Sequence, residues 1–502
     1  MKYREILYKA IPVLLLLAFT WVRASSMFGR LTDPDPGLFE AFAYHIQQGK
    51  ILYADIWDHK PPGIFYLNLV FIQLFGATED AISYGSMFFC LLQTLVAFYL
   101  LKRISNHIPT AFVGTLIFII CYYSYPVFGS GNYTEQYGVL CTSAALLWFL
   151  KFRESQNKWH LWASGAAFGI SIWFKEPFLV SAVPVGLALF YFAIRDKKQW
   201  IFLFQFCIAF ALPALIISNT LAFTGSWHGY KEHLLHSKQY AIQSQWLPFH
   251  IKMRGNFESF FGPGELNQYP IFIMWLVGCF VLIYQKRTRF IGILMVGQQL
   301  LDYLGTGISG NRFFHYYMQS FPLTIIIFFS GFSEFITSIK PKILPMAKVL
   351  LPLILLMYIV KVQKPWMEEK WTPNKNFKDP IVEYLNNNEF TTPRSIAMGG
   401  KDIGFYLLRA RGISEIRYAV PYPYHWIKIP GKKEKYKMYE HETEFKNWMP
   451  EYVIYSGTFA EMYNDIALDS FVLKNYSEVA MTEFGGGANA HLLKKNVAQI
   501  EQ

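Results

Sequence analysis

Apolar residues in this chain fall in long runs broken by short charged interruptions. Runs near 6–22, 82–101, 109–125, 136–150, 160–174, 177–194, 200–223, 270–284, 290–304, 314–336 and 344–361 dominate the first three quarters. A helix needs about 20 residues to cross a bilayer, within a range of about 17–25. The pattern therefore predicts a mainly α, polytopic transmembrane bundle of about eleven spans, with 160–174, 270–284 and 290–304 short for the task. Small residues at 24–26 follow the first run, as after a signal peptide, but more spans come later, so that helix reads as uncleaved.

Three longer stretches lack such runs: 23–81, 224–269 and 362–502. The last alternates short apolar strands ("RSIAMGG", "EIRYAV", "EYVIYSG") with a helix-like "DPIVEYLNNN", which predicts a small α/β domain outside the membrane; "GGGANA" reads as a turn. The expected division is a membrane domain, 1–361, and an extramembrane domain, 362–502. In the first loop, "DPDPGLFEAFAYHIQQGK" places Asp35 as an N-cap ahead of Pro36. Leu38, Phe39, Phe42, Ala43 and Ile46 then recur at helical spacing until Gly49. This helix is amphipathic and too short to cross, which suits the membrane interface. A second short helix opens at Pro61 and Pro62, with an apolar body from Ile64 to Phe75.

Composition agrees. Of 502 residues 53% are hydrophobic and only 16% charged, with a mean hydropathy of +0.22, against about a quarter charged in soluble domains. The net charge of +11 points away from nucleic acid, because Lys and Arg sit in short loops on alternate crossings. Lys2 and Arg4, Lys102 and Arg103, Lys151, Arg153 and Lys158, Arg195, Lys197 and Lys198, Lys286, Arg287 and Arg289, and Lys340 and Lys342 share one side of an eleven-span scheme. That side is cytoplasmic by the positive-inside rule, so the N-terminus is inside and the tail outside. The five cysteines lie in or beside apolar runs with no CxxC, as packing residues do.

The candidate chemistry is concentrated in "DIWDHKPPGIFYLNLVFIQLFG". Lys60 precedes a helix N-terminus, where the dipole disfavours a cation. The placement makes sense when an anion docks there against free backbone N–H groups and an ammonium together. At a membrane surface the economical anion is the phosphate of a lipid-linked substrate. Asp58 either orients Lys60 or, with His59, binds a divalent cation; as structural features they would be an interfacial lysine beside a buried aspartate. Asp35 is otherwise only a cap, and Asp33 a turn residue. Glu135 in "GNYTEQY", and Arg312 and His315 in "GNRFFHYYMQSFP", stand at span starts, where charge is costly unless it is paired or faces a wet cavity; Arg suits bidentate phosphate contact. Lys175 with Glu176 reads as a local ion pair, and Asp302 as an interhelical hydrogen bond.

The ordered set "DPGLFEAFAYHIQQGKILYADIWDHKPP", "NYTEQY", "NRFFHYYMQSFP" and the tail segment "DPIVEYLNNN…RSIAMGGKDIGFYLLRARGISEIRYAV" resembles the GT-C membrane glycosyltransferases of the dolichyl-phosphate-mannose:protein mannosyltransferase and aminoarabinose transferase type. The specific part is Tyr53-x-Asp55-x-x-Asp58-x-Lys60-Pro-Pro. The resemblance implies transfer of a sugar from a polyprenyl-phosphate donor to a lipid, glycan or protein acceptor on the outer face, typically with inversion, in a bacterial cytoplasmic membrane. It implies a catalytic set of Asp35 as general base, Lys60 on the donor phosphate and Asp58 beside them. Asp33, Tyr53, His59, Glu135, Arg312 and His315 would contact substrate. Some members use a divalent ion and others none, so the metal is open, with Asp58, His59 and Glu135 as candidate ligands. The motif departs from the Asp-Glu pair of many protein mannosyltransferases, which weakens protein mannosylation in particular. The competing readings are a transporter or lipid flippase centred on Asp302, and a non-catalytic scaffold.

Overall fold

In the computed structural model the described residues are 2–28, 34–243, 247–261 and 269–337, then 379–387, 394–399, 412–413, 445–456, 466–484 and 488–496, with scattered positions in 354–361 and residue 443. The fold is mainly helical. In chain order the helices are α1 (Lys2–Ala24), α2 (Pro34–Gln47), α3 (Gly63–Phe75), α4 (Glu79–Ser105), α5 (Ile108–Tyr122), α6 (Tyr125–Phe128), α7 (Thr134–Ser155), α8 (Lys158–Ser171), α9 (Val183–Arg195), α10 (Trp200–Phe223), α11 (Trp227–Gln243), α12 (Phe249–Phe261), α13 (Tyr269–Tyr284), α14 (Arg289–Gly307) and α15 (Phe321–Thr337). Ten of the segments read as spans carry helix; 344–361 lies mostly outside the described residues. Among the described residues three helical stretches are long and apolar enough to cross a membrane: Glu79–Ser105, Glu176–Arg195 and Lys197–Phe223. Shorter apolar helices include Ala10–Ala24, Ile108–Tyr122, Ile271–Tyr284 and Phe321–Phe335.

The chain clusters into two compact units. The first gathers Met1–Met27, Ser86–Ile217 and Gln245–Thr372. Its helices meet through small residues: Gly278 of α13 lies against Gly331 of α15, and Gly165 of α8 against Ala209 and the Phe206 carbonyl of α10. In hydrocarbon there is no water to expel, so close backbone approach supplies the contact energy. In Lys197–Phe223 only 11% of the apolar window is buried, against 56% in Glu79–Ser105. Phe204, Ile208, Leu215 and Ile216 of α10 point outward, an arrangement suited to lipid and costly in water.

The second unit gathers Phe28–Gly85, Ser218–Ser244 and Pro373–Gln502. Within it α2 and α3 pack through Phe39 and Phe42 against Phe65, at ring separations of 5.7 and 5.2 Å. Its tail carries a five-stranded sheet built from β1 (Arg394–Gly399), β2 (Gly412–Ile413), β3 (Tyr452–Ser456), β4 (Tyr476–Phe484) and β5 (Ala488–Lys495), in the order β2-β1-β3-β5-β4. β1 runs parallel to β2 and β3, while β5 is antiparallel to β3 and β4. Ala397, Phe445, Val453, Tyr455, Val472, Tyr476 and Leu493 form its core. The helix Pro380–Asn387 starts where "DPIVEYLNNN" indicates. Asp379 Oδ1 accepts from the Ile381 N–H at 3.0 Å and from Thr482 Oγ1 at 2.7 Å, tying that helix to β4. "EIRYAV" lies outside the described residues, and the last three residues of "GGGANA" belong to β5 instead of a turn, because they pair with β4.

Candidate active site

The first loop folds as two short helices joined by a tight turn. α2 begins at Pro34, two residues earlier than the capping pattern indicates, so Asp35 stands in the first helical turn instead of at the N-cap. A carboxylate is favoured there too, because it faces the positive end of the helix dipole. α3 begins at Gly63, with Pro62 at the N-cap and no side-chain acceptor from it. Lys60 precedes that helix, as its position before the double proline implies.

The turn between the helices is held by its own polar groups. Tyr53 adopts φ 66°, a left-handed conformation uncommon for a bulky residue. It is kept there by a 2.6 Å bond from its N–H to the Ile56 carbonyl and by its hydroxyl donating to the Lys60 carbonyl, also at 2.6 Å. Asp58 Oδ1 accepts from the Lys60 N–H at 2.8 Å, an aspartate turn that fixes the Lys60 backbone. The Lys60 side chain then reaches back to α2: its Nζ lies 3.0 Å from Asp35 Oδ2 and 6.0 Å from the centre of the Phe39 ring. Both charged side chains retain some access, 11% for Lys60 and 22% for Asp35.

Asp58 is fully enclosed, and burial pushes its carboxyl up to about 6. The Lys60 ammonium opposes that rise, the Asp35 charge adds to it, and the Lys60 N–H and His233 oppose it again. His59 Nδ1 is 3.7 Å from Asp58 Oδ1. Three residues of α11 complete this group. Trp57 Nε1 donates to the Gly229 carbonyl at 3.0 Å, and the Tyr53 ring packs on Tyr230 and His233 at 5.6 and 5.8 Å. Sequence reasoning missed Tyr230 and His233 as partners of this turn; the available signal was the His- and aromatic-rich composition of 224–269.

A second polar group lies within the first unit. Glu135, in the first turn of α7, is buried and forms an ion pair with Lys175; Thr134 Oγ1 donates to its other oxygen at 2.8 Å. Lys175 thus pairs with Glu135, in place of the local pairing with Glu176 expected from sequence, because the 3₁₀ turn Glu176–Ala182 that follows it packs beside α7. The Lys175 ammonium also sits 3.2 Å from the centre of the Tyr316 ring. His315 stacks between Tyr133, at 4.4 Å, and Phe313, at 5.7 Å. Arg312 is exposed and lies against Gly255 of α12. Asp302 does form the expected interhelical hydrogen bonds, accepting from Ser181 and, at 3.3 Å, from Gln319 Nε2.

Asp33 lies outside the described residues. Asp35, Tyr53, Asp58, His59 and Lys60 come together in one group, and Glu135 and His315 belong to the other. Among the described residues no three His, Cys, Asp or Glu side chains are arranged to hold a metal ion. Asp58 with His59 is a two-residue arrangement, and Glu135 is engaged by Lys175.

Residues 59–220 match the family model of dolichyl-phosphate-mannose-protein mannosyltransferase. That stretch includes Lys60, Glu135 and Lys175 and begins after Asp35. No curated protein matches the chain. Among solved structures, ArnT from Cupriavidus metallidurans bound to undecaprenyl phosphate is similar over 97% of this chain and 98% of its own, at 13% identity and a TM-score of 0.57. The same protein in the apo state covers the same shares at 14% identity and a TM-score of 0.55. In fold along nearly its whole length, and in sequence over 59–220, the chain is similar to the GT-C membrane glycosyltransferases that its first loop resembles.

Proposed function

We propose that the protein is a GT-C membrane glycosyltransferase that moves a sugar from a polyprenyl-phosphate donor to an acceptor on the outer face of the membrane. The observation that carries this reading is the Asp35–Lys60 pair at 3.0 Å, set at the start of α2 and just ahead of α3. One partner is an anion-seeking ammonium and the other a carboxylate able to take a proton. The ArnT structure to which the fold is similar is bound to undecaprenyl phosphate, which supports a lipid phosphate as the anion.

In this mechanism the donor phosphate takes the Lys60 ammonium as its counter-charge. Asp35, released from full pairing, faces the acceptor hydroxyl. The acceptor oxygen bonds to the anomeric carbon as the bond to the phosphate oxygen breaks. The hydroxyl proton passes to Asp35, the electron pair of the broken bond stays on the polyprenyl phosphate, and Lys60 offsets the charge growing there. A carboxylate beside an ammonium at a helix start is a weak base, so positioning must supply much of the rate. Asp58 and Tyr53 act through the Lys60 backbone and hold the ammonium on station. Glu135, Arg312 and His315 are kept as proposed substrate contacts.

In this reading the N-terminus is cytoplasmic and the tail extracytoplasmic, in a bacterial inner membrane. Asp302, on which a transport reading rests, is engaged by Ser181 and Gln319, and no observation favours transport. The test combines two measurements. Membranes bearing the protein are supplied with polyprenyl-phosphate sugars, and envelope lipids and glycans from cells lacking it are compared by mass spectrometry. One missing sugar and transfer lost in Asp35→Asn are expected; an unchanged envelope together with undiminished transfer in that variant overturns the proposal.

A further inference from the structure

Near the end of α1 a guanidinium is largely enclosed, and two of its three nitrogens have no acceptor among the described residues. The buried face of α1 reads Leu16, Thr20, Arg23 and Ala24, a helical spacing of three and four. Thr20 bonds Thr94 of α4 at 2.9 Å, and α1 also packs against α5. Arg23 stands one turn beyond Thr20 on this face, is 4% exposed, and has Nε and Nη2 buried with no hydrogen-bond partner. The Cys121 thiol of α5 lies near it. Two further polar groups on the neighbouring helices share its condition. The Gln93 amide, next to Thr94, and the Tyr122 hydroxyl, next to Cys121, are also buried without partners.

A lone buried charge is among the least favourable groups a fold can hold, and a planar fork of N–H donors is satisfied best by two oxygens of one anion. Stabilising the helix C-terminus through its dipole explains a cation in the last turn of α1. It does not explain why Nε and Nη2 are withdrawn from solvent with no acceptor. We infer that the junction of α1, α4 and α5 is a binding site for a phosphate oxyanion, gripped by Arg23. This site stands independently of the transfer reaction proposed above. Its ligand is either the phosphate of a resident lipid headgroup or free phosphate.

The test uses the full chain, purified in detergent and delipidated, and reads its unfolding midpoint in three additions: phosphatidylglycerol micelles, inorganic phosphate, and diacylglycerol micelles, which lack phosphate. Wild type should rise by several degrees with a phosphate-bearing probe and not with diacylglycerol, while Arg23→Gln shows no such rise. A rise with phosphatidylglycerol alone assigns a headgroup, and an equal rise with inorganic phosphate assigns the free anion. Should Arg23→Gln fail to fold, Arg23→Lys keeps the charge and loses the fork, and its rise should be at most half that of wild type. No rise in wild type with either phosphate probe, or an undiminished rise in the folded variant, overturns the site.

Discussion

Lys60 Nζ lies 3.0 Å from Asp35 Oδ2, although 25 residues separate the two in sequence. The pair puts the group proposed to hold a phosphate in contact with the group proposed to take a proton. Any anion that claims the ammonium must therefore loosen the carboxylate.

Kinetics should show that coupling. Asp35→Asn is expected to lower kcat by about 10²–10⁴, the usual share of a positioned base, and Lys60→Ala by about 10²–10³, as for loss of one charge-stabilising donor. Because the residues act as a unit, the double variant should lose far less than the product of the two. Steady-state transfer rates in membranes of equal expression check this; multiplicative losses would mean that the two groups act separately.

Asp58 gives a pH signature. Its carboxyl is raised to about 6 by burial, so the folded state holds that proton more tightly than the unfolded chain does. The stability this contributes is present in full at low pH and is lost as pH rises through about 6. Asp58→Asn should therefore unfold no earlier than wild type at pH 7.5, with a relative gain that shrinks toward pH 4.5. Activity should move the other way. Wild-type transfer should fall below about pH 6 as Asp58 protonates, while Asp58→Asn should be slower with a flattened acid limb. Thermal unfolding and pH–rate profiles on one preparation test both halves.

The anchors on α11 can be loosened one bond at a time. Trp57→Phe replaces the indole by a smaller phenyl ring and removes the bond to the Gly229 carbonyl, at an expected cost of at least about 1 kcal/mol. Tyr53→Phe removes the 2.6 Å bond to the Lys60 carbonyl and should raise KM for the donor more than it lowers kcat, since it frees the backbone that carries the ammonium. Equal kinetics in wild type and Tyr53→Phe would contradict the role given to that hydroxyl.

Glu135 is buried and Lys175 half-buried in their ion pair, and removing one partner takes away the other's counter-charge. Glu135→Gln or Lys175→Met alone should cost about 3–5 kcal/mol, and the two together less than either. Denaturation midpoints of the three variants measure the difference.

Much of the helical layout was legible because apolar run length is a direct physical requirement of the bilayer. α4 and α10 begin and end near the limits that hydropathy sets. The chemistry of the first loop was legible in part: Asp35 and Lys60 stood out because each sits at a helix start. Their mutual contact was not, since α2 and α3 meet through Phe39 and Phe42 against Phe65, and two aromatics at helical spacing do not name their partner on another helix. Lys175 was misread for a related reason. Glu176 is its neighbour in sequence, but Glu135, 40 residues away, is the carboxylate its side chain reaches. Tyr230 and His233 carried only a compositional signal, and the left-handed backbone of Tyr53 carried none, because it is imposed by the Ile56 and Lys60 carbonyls.

Binding of polyprenyl phosphate to the purified chain tests most directly whether Lys60 holds the donor phosphate. Lys60→Ala should bind at least about tenfold more weakly, a change of about 1.4 kcal/mol. Asp35→Asn should bind as tightly as wild type or more so, because it removes the carboxylate that competes for the ammonium. Wild-type affinity in Lys60→Ala, or parallel losses in both variants, would contradict the account.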